Sequence, residues 1–281
     1  MGKKKRSDYI ILSKKIGFII ETNNVDVSCY QRRTEGLSHS WINELSRYHI
    51  PYFFITGRAN SEPLEKEVQH TPSEIRIHRD FYPYHKQSPH VLYSIISNRM
   101  TRTKCVDHVL EVDLPPIPQY RSLIWWLSYY YLANLWNGGE VEYWIHVNSH
   151  TWVNLAKINQ ILAREREWCL LGQKVTKNMS KGGRPIFGPW YDSDRGLILS
   201  QKVIQTYLHP CHAIYIWTDL QPDKALSDVI RRFWEENYPE SVFQEHRLLI
   251  SADAPLDKKM DQSWIKQCCF ITNLNDMKTF D

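Results

Sequence analysis

Residues 143–155, YWIHVNSHTWVNL, constrain this chain more than any other stretch. They read as a buried strand, a short polar loop and the start of an amphipathic helix. Beyond the loop, Trp152, Val153, Leu155, Ile158, Ile161 and Leu162 fall at helical spacing. Thr151 stands where an N-cap is expected, because a threonine oxygen can accept from an orphan amide of the first turn. A strand that passes through a tight loop into a helix is a unit of an α/β fold.

The rest of the chain repeats that rhythm. IGFII (16–20) is a first apolar, β-rich run, followed by a helical segment, LSHSWINELSRY (37–48), that Pro51 breaks. YFFIT (52–56) is a second strand, stopped by Gly57, and this β–α–β spacing suits a parallel sheet. Residues 58–105 are proline-rich and irregular, and read as an insertion with a helix near HVLYSIISNRM. HVLEVDL (108–114) is a third strand. YRSLIWWLSYYYLANLW (120–136) carries aromatics almost all round, so it is a largely buried helix, ended by Asn137, Gly138 and Gly139. WCLLG (168–172), GLILS (196–200) and IYIW (214–217) read as strands. QKVIQTYL (201–208) and ALSDVIRRFWEENY (225–238) read as helices. The expected organisation is a basic tail over residues 1–9 and one domain over 10–281. The expected class is α/β, a Rossmann-like, mostly parallel sheet with helices on both faces.

Composition narrows the function classes. The net charge is +4, and Lys3, Lys4, Lys5 and Arg6 account for all of it. The body is therefore neutral and carries no spread nucleic-acid footprint. No apolar run approaches the ~20 residues of a membrane helix, so no transmembrane segment is expected. The six cysteines show no CxxC spacing and no zinc pattern. Walker, HExxH and GxSxG patterns are missing too. Asn178-Met179-Ser180 is a glycosylation sequon, meaningful in the secretory pathway.

Five pieces in order carry a family resemblance: IGFIIETNNVDVSCYQRRTEGLSHSWI, LEVDLPPIPQYRSLIWWLSYYYL, YWIHVNSHTWVNLAKI, YDSDRGLILSQKVI and PDKALSDVI. Together they resemble the β-1,3-glycosyltransferase family that includes the β-1,3-galactosyltransferases and the Fringe proteins. The resemblance implies the GT-A fold and transfer, with inversion, of a hexose or N-acetylhexosamine from a UDP-sugar. The acceptor would be a hydroxyl of a glycan or glycoprotein. It covers most of the chain outside the insertion and the tail. Asp113 and Tyr120 match the family pattern, while Leu114 replaces a phenylalanine.

The resemblance also assigns candidate site residues. The family's metal loop has three acids followed by Thr or Asn, an aromatic, Val and Asn. Here Thr151, Trp152, Val153 and Asn154 match, and Asn148, Ser149 and His150 replace the acids. These three would line the donor site. His150 as neutral imidazole, and His246 further on, are the candidate ligands for the family's Mn²⁺. Of the family's glycine-rich loop only Gly196 is kept, after Ser193, Asp194 and Arg195. Two readings stand for Arg195: a clamp on the donor diphosphate in place of metal, or a surface partner of Asp192 or Asp194. Asp223 is the candidate general base, with service as a helix N-cap the competing role. Loss of the acids leaves open a second function, an inactive pseudo-glycosyltransferase that binds a sugar, a nucleotide or a protein. Compartment stays open as well: the Golgi lumen if an N-terminal anchor has been removed, otherwise the cytoplasm.

Overall fold

The computed structural model describes residues 12–21, 41–64, 89–149, 151–164, 170–175, 190–208, 222–223, 226, 251–253 and 268–272. The basic tail, the heart of the proline-rich insertion, the sequon, the expected strand at 214–217, and nearly all of the helix expected over 225–238 lie outside them.

The described chain runs β1 (Ile16–Glu21), α1 (Trp41–Arg47), β2 (Tyr52–Gly57), α2 (Pro89–Thr101), β3 (Lys104–Val106) and β4 (Val109–Val112). It continues through a 3-10 turn (Pro118–Tyr120) into α3 (Arg121–Asn134), β5 (Tyr143–Asn148), β6 (Trp152–Val153), α4 (Leu155–Leu162) and β7 (Leu170–Val175). Then follow β8 (Trp190–Ser200), α5 (Gln201–Tyr207), β9 (Ser251–Asp253) and β10 (Phe270–Thr272). Seven strands form one sheet in the order β3-β4-β2-β1-β5-β8-β7. The four central strands are parallel, while β3, β8 and their pairings with β4, β5 and β7 are antiparallel. The α/β class is as expected, and the mostly parallel sheet expected is a mixed one, parallel at its centre and antiparallel towards both edges. A second sheet of three strands has the order β6-β10-β9.

Side-chain alternation splits the core into two layers. In β1, Ile19 packs into one cluster with α3, while Phe18 and Ile20 pack into the other with α1 and α4. In β5, Trp144 joins the first layer, and Tyr143, Ile145 and Val147 the second. Strands buried on both faces explain why these runs are apolar without clean alternation. The aromatic helix α3 follows its expectation: ten of its 14 residues are buried.

Several local expectations give way. The expected strand at 108–114 is present, shortened to β4, but it is also the second arm of a hairpin with β3, turned by Asp107 and His108 at positive φ. The expected start of helix at Trp152 is instead the two-residue β6, paired antiparallel to β10 near the far end of the chain. A pairing that distant leaves no trace in a local pattern. The cap of α4 is therefore Asn154, whose side chain accepts from the Lys157 amide, rather than Thr151. At α5 the cap is Ser200, accepting from the Val203 amide.

Candidate functional site

The order of strands fixes where a site belongs. The chain lays β1, β2 and β4 to one side, then crosses back to place β5 on the other side of β1. The crevice between the carboxyl ends of β1 and β5 is the topological switch point, the usual ligand position in open α/β sheets. Glu21 and Asn148, the last residues of these two strands, are register partners. The Ser149 amide donates to the Glu21 carbonyl at 3.0 Å.

The loop that would carry the metal acids begins at this point. The Thr151 amide donates to the Asn148 carbonyl at 3.1 Å, and Thr151 Oγ1 donates to Asn148 Oδ1 at 2.9 Å. The turn is anchored below by Trp41, whose Nε1 donates to the Thr151 carbonyl at 3.0 Å. Ser149 is buried, and its Oγ meets no hydrogen-bond partner among the described residues. His150 and His246 lie outside the described residues, as do the side chains of Asp192, Asp194 and Arg195.

The carboxylate nearest this loop in the register is Glu21, which is 6% exposed. Arg121, at the start of α3, grips it with two bonds: Nε to Oε1 at 2.5 Å and Nη2 to Oε2 at 2.8 Å. The sequence offers no signal for this pair, since its members are 100 residues apart. Among the described residues, a loop with an amide and a hydroxyl in place of acids, beside a carboxylate already held by a guanidinium, does not fit a hard divalent cation. Such an ion needs several oxygen ligands with charge among them.

Behind Arg121 stands a polar group that the sequence reading missed. The Arg121 guanidinium lies 5.5 Å from the centre of the Trp125 ring. The Trp125 and His146 rings are 3.9 Å apart, and Tyr129 Oη lies 2.6 Å from His146 Nδ1. Both Tyr129 and His146 are essentially inaccessible. Burial, then the charge of Arg121, holds the His146 pKa down at about 3. Burial, then the negative charges of Glu21 and Asp223, pushes the Tyr129 hydroxyl well above its ordinary range. Both groups are therefore neutral at pH 7, and with the Tyr129 hydroxyl as donor to Nδ1 the histidine proton sits on Nε2. The spacing Arg121, Trp125, Tyr129 puts all three on one face of a helix. That i, i+4 repeat was the available signal, hidden because every face of α3 is aromatic.

Asp223 lies near enough to this region for its charge to act on Tyr129. The Ser193 amide and Ser193 Oγ both donate to Asp223 Oδ2, at 3.3 and 3.4 Å. Ser193 sits in an irregularity of β8. Leu197 pairs with Gly172 and Asp192 with Gln173, so residues 193–196 bulge out of the ladder. The expected glycine loop is thus a bulge within a strand. Gly196 closes it at φ +86°, and the ring of Phe270 occupies the space where a β-carbon would stand, at 2.5 Å. The close approach that demands glycine here comes from Phe270.

Asp113, at the end of β4, forms a separate knot. Arg58, Arg99 and Arg102 place guanidinium nitrogens at 3.3, 3.8 and 3.0 Å from its oxygens, and Ser61 Oγ donates at 2.5 Å. Tyr120 Oη accepts from the Leu64 amide at 2.9 Å. Asp113 and Tyr120 therefore both brace the chain that leaves β2. Among the described residues no helix is long and apolar enough to cross a membrane.

No protein-family model matches the chain, and no curated protein matches it.

Proposed function

We propose that the protein is a glycosyltransferase of the GT-A type, moving a hexose or N-acetylhexosamine from a UDP-sugar to a glycan hydroxyl with inversion. One observation carries the reading. The loop that resembles the family's donor loop leaves β5 at the topological switch point, and Asp223 is held by Ser193 of the β8 bulge. Its charge is felt at Tyr129, the neighbour of His146 on β5.

In this mechanism Asp223 is the general base. Its carboxylate takes the proton of the acceptor hydroxyl as that oxygen attacks the anomeric carbon. The glycosidic bond to UDP breaks on the opposite face, and the bonding electrons leave with the diphosphate. Ser193 orients the carboxylate through its two bonds to Oδ2. A positioned base contributes about 10²–10⁴ in rate. The charge growing on the leaving diphosphate calls for a counter-charge, and the donor set near Asn148 favours a mechanism in which no Mn²⁺ supplies it.

A second reading, a binding module without turnover, is favoured by the replacement of all three loop acids with Asn148, Ser149 and His150. Calorimetry with UDP and UDP-sugars, with and without Mn²⁺, combined with donor hydrolysis and transfer assays, separates the two. The transferase reading expects metal-independent UDP binding and turnover that falls at least a hundredfold in Asp223→Asn. Binding without any turnover establishes the module instead. Absence of UDP and UDP-sugar binding in both conditions removes the transferase.

A further inference from the structure

Among the described residues, two buried donors beside the switch point meet no acceptor. Trp125 is 2% exposed and His146 is 1% exposed, and neither Trp125 Nε1 nor His146 Nε2 has a hydrogen-bond partner. Their rings touch, with centroids 3.9 Å apart. An indole nitrogen can only donate. His146 Nε2 is in the same position, because Nδ1 is engaged by the Tyr129 hydroxyl at 2.6 Å. Buried donors without acceptors are costly, and native proteins retain few of them without a reason. Ser149 Oγ, next along the chain from Asn148, and Ser128 Oγ, on α3, are unmatched as well.

The chemistry of the missing partner follows from the donors. Two groups that only donate select a group rich in acceptors. Sugar hydroxyls bring protons of their own, whereas phosphate oxygens at neutral pH are almost purely acceptors. The adjacent cation points the same way. Arg121 lies over the Trp125 ring and at the mouth of the β1–β5 crevice, where Glu21 fixes its direction. Guanidinium suits phosphate oxygens in geometry and charge.

We infer that Trp125 Nε1–H and His146 Nε2–H, with Arg121 beside them, bind the oxygens of a diphosphate without a metal ion; this deepens the nucleotide-sugar reading above and rests on it. The donors then occupy the place of the missing loop acids and their cation. They do so from α3 and β5, not from residues 148–150.

The test is calorimetry in EDTA with inorganic pyrophosphate, UDP and uridine. The proteins are the wild type, Trp125→Phe, His146→Phe and the control Trp126→Phe, which alters a buried tryptophan that is not among the unmatched donors. Pyrophosphate and, more tightly, UDP should bind the wild type and the control alike, and uridine far more weakly. Each site variant should weaken both phosphate ligands about tenfold. If a site variant does not fold, nitrogen NMR of the wild type gives the answer, because the His146 Nε2 resonance should move when pyrophosphate is added. UDP binding that neither variant changes, that leaves the Nε2 resonance unmoved, or that requires Mn²⁺ overturns the inference and leaves the nucleotide reading standing. Pyrophosphate binding weakened by the variants, with UDP no tighter, supports the anion site and removes the nucleotide reading. Binding of neither ligand removes both.

Discussion

Arg121 and Glu21 form a two-bond ion pair that ties the first residue of α3 to the last residue of β1. Glu21 is almost wholly buried, whereas the Arg121 side chain is 36% exposed. Removing the arginine strands a carboxylate in a dry position. Breaking a fully buried pair costs about 3–5 kcal/mol, and the partial exposure of Arg121 reduces this to about 2 kcal/mol. Arg121→Ala should lose that much in urea unfolding. Arg121→Met combined with Glu21→Gln should lose less than Arg121→Ala alone, because no charge is left unmatched. A double variant less stable than the single one would show that the pair is not what holds α3 to β1.

The sheet was readable because its signals are local. IGFII, YFFIT and YWIHV are apolar runs of strand length between helical patterns, and the structure places β1, β2 and β5 on them. The site was readable only where a resemblance marked it. Asp223 and Gly196 stood in matching pieces, whereas Glu21, Trp125, Tyr129 and His146 drew no notice. Glu21 and Arg121 come together through the parallel pairing of β1 with β5 and the packing of α3, and no spacing in the chain encodes that distance. His146 looked like an ordinary member of a strand. Its importance comes from two neighbours on a helix that precedes it, and from burial, which a sequence does not display residue by residue. The two-residue strand β6 was hidden for the same reason, since its partner is more than 100 residues away.

Gly196 is set by its neighbour across the sheets. At φ +86° an L-residue is strained by about 1–2 kcal/mol, and a β-carbon would stand 2.5 Å from the Phe270 ring. Gly196→Ala should therefore destabilise the protein by about 2–3 kcal/mol, the strain plus the cost of moving the ring. Adding Phe270→Leu should recover the steric part and leave the backbone part. Thermal unfolding of both variants reads this directly. A Gly196→Ala protein as stable as the wild type would mean that the bulge does not hold this conformation.

Asp113 faces three guanidinium groups, of which Arg58 also reaches Glu111 at 3.9 Å, and its side chain is 8% exposed against 2% for Arg99. Arg99 Nη1 also donates to the Asp113 carbonyl at 3.2 Å, so the knot fastens α2 to the end of β4. Asp113→Asn keeps the shape and removes the charge. It should cost about 3 kcal/mol, measured by chemical unfolding. Because Asp113 and Arg99 are buried, most of the loss should persist in 0.5 M salt, which screens only the share from the half-exposed Arg102 and the partly exposed Arg58. A loss that disappears in salt would place Asp113 in solvent.

His146 gives the sharpest pH prediction. Its folded pKa of about 3 lies below the ordinary 6.5. Between these values the unfolded chain binds a proton that the folded protein refuses. Stability therefore rises with pH through this window, and it is lost as pH falls from 6.5 toward 3. At 1.36 kcal/mol per pH unit, acidifying from pH 7 to pH 4.5 should cost the wild type about 2.5 kcal/mol through this group alone. The Tyr129 hydroxyl adds no slope there, because its pKa moves further up, away from the window. Equilibrium unfolding of the wild type and His146→Gln across pH 4.5–7 isolates the effect, since the slopes of all other groups are shared. The variant should start lower at pH 7, having lost the bond from Tyr129, and then fall less steeply. Parallel slopes would mean that His146 takes up its proton in the folded state, which requires water at Nε2 and a ring less enclosed than the packing of Trp125 and Tyr129 around it implies.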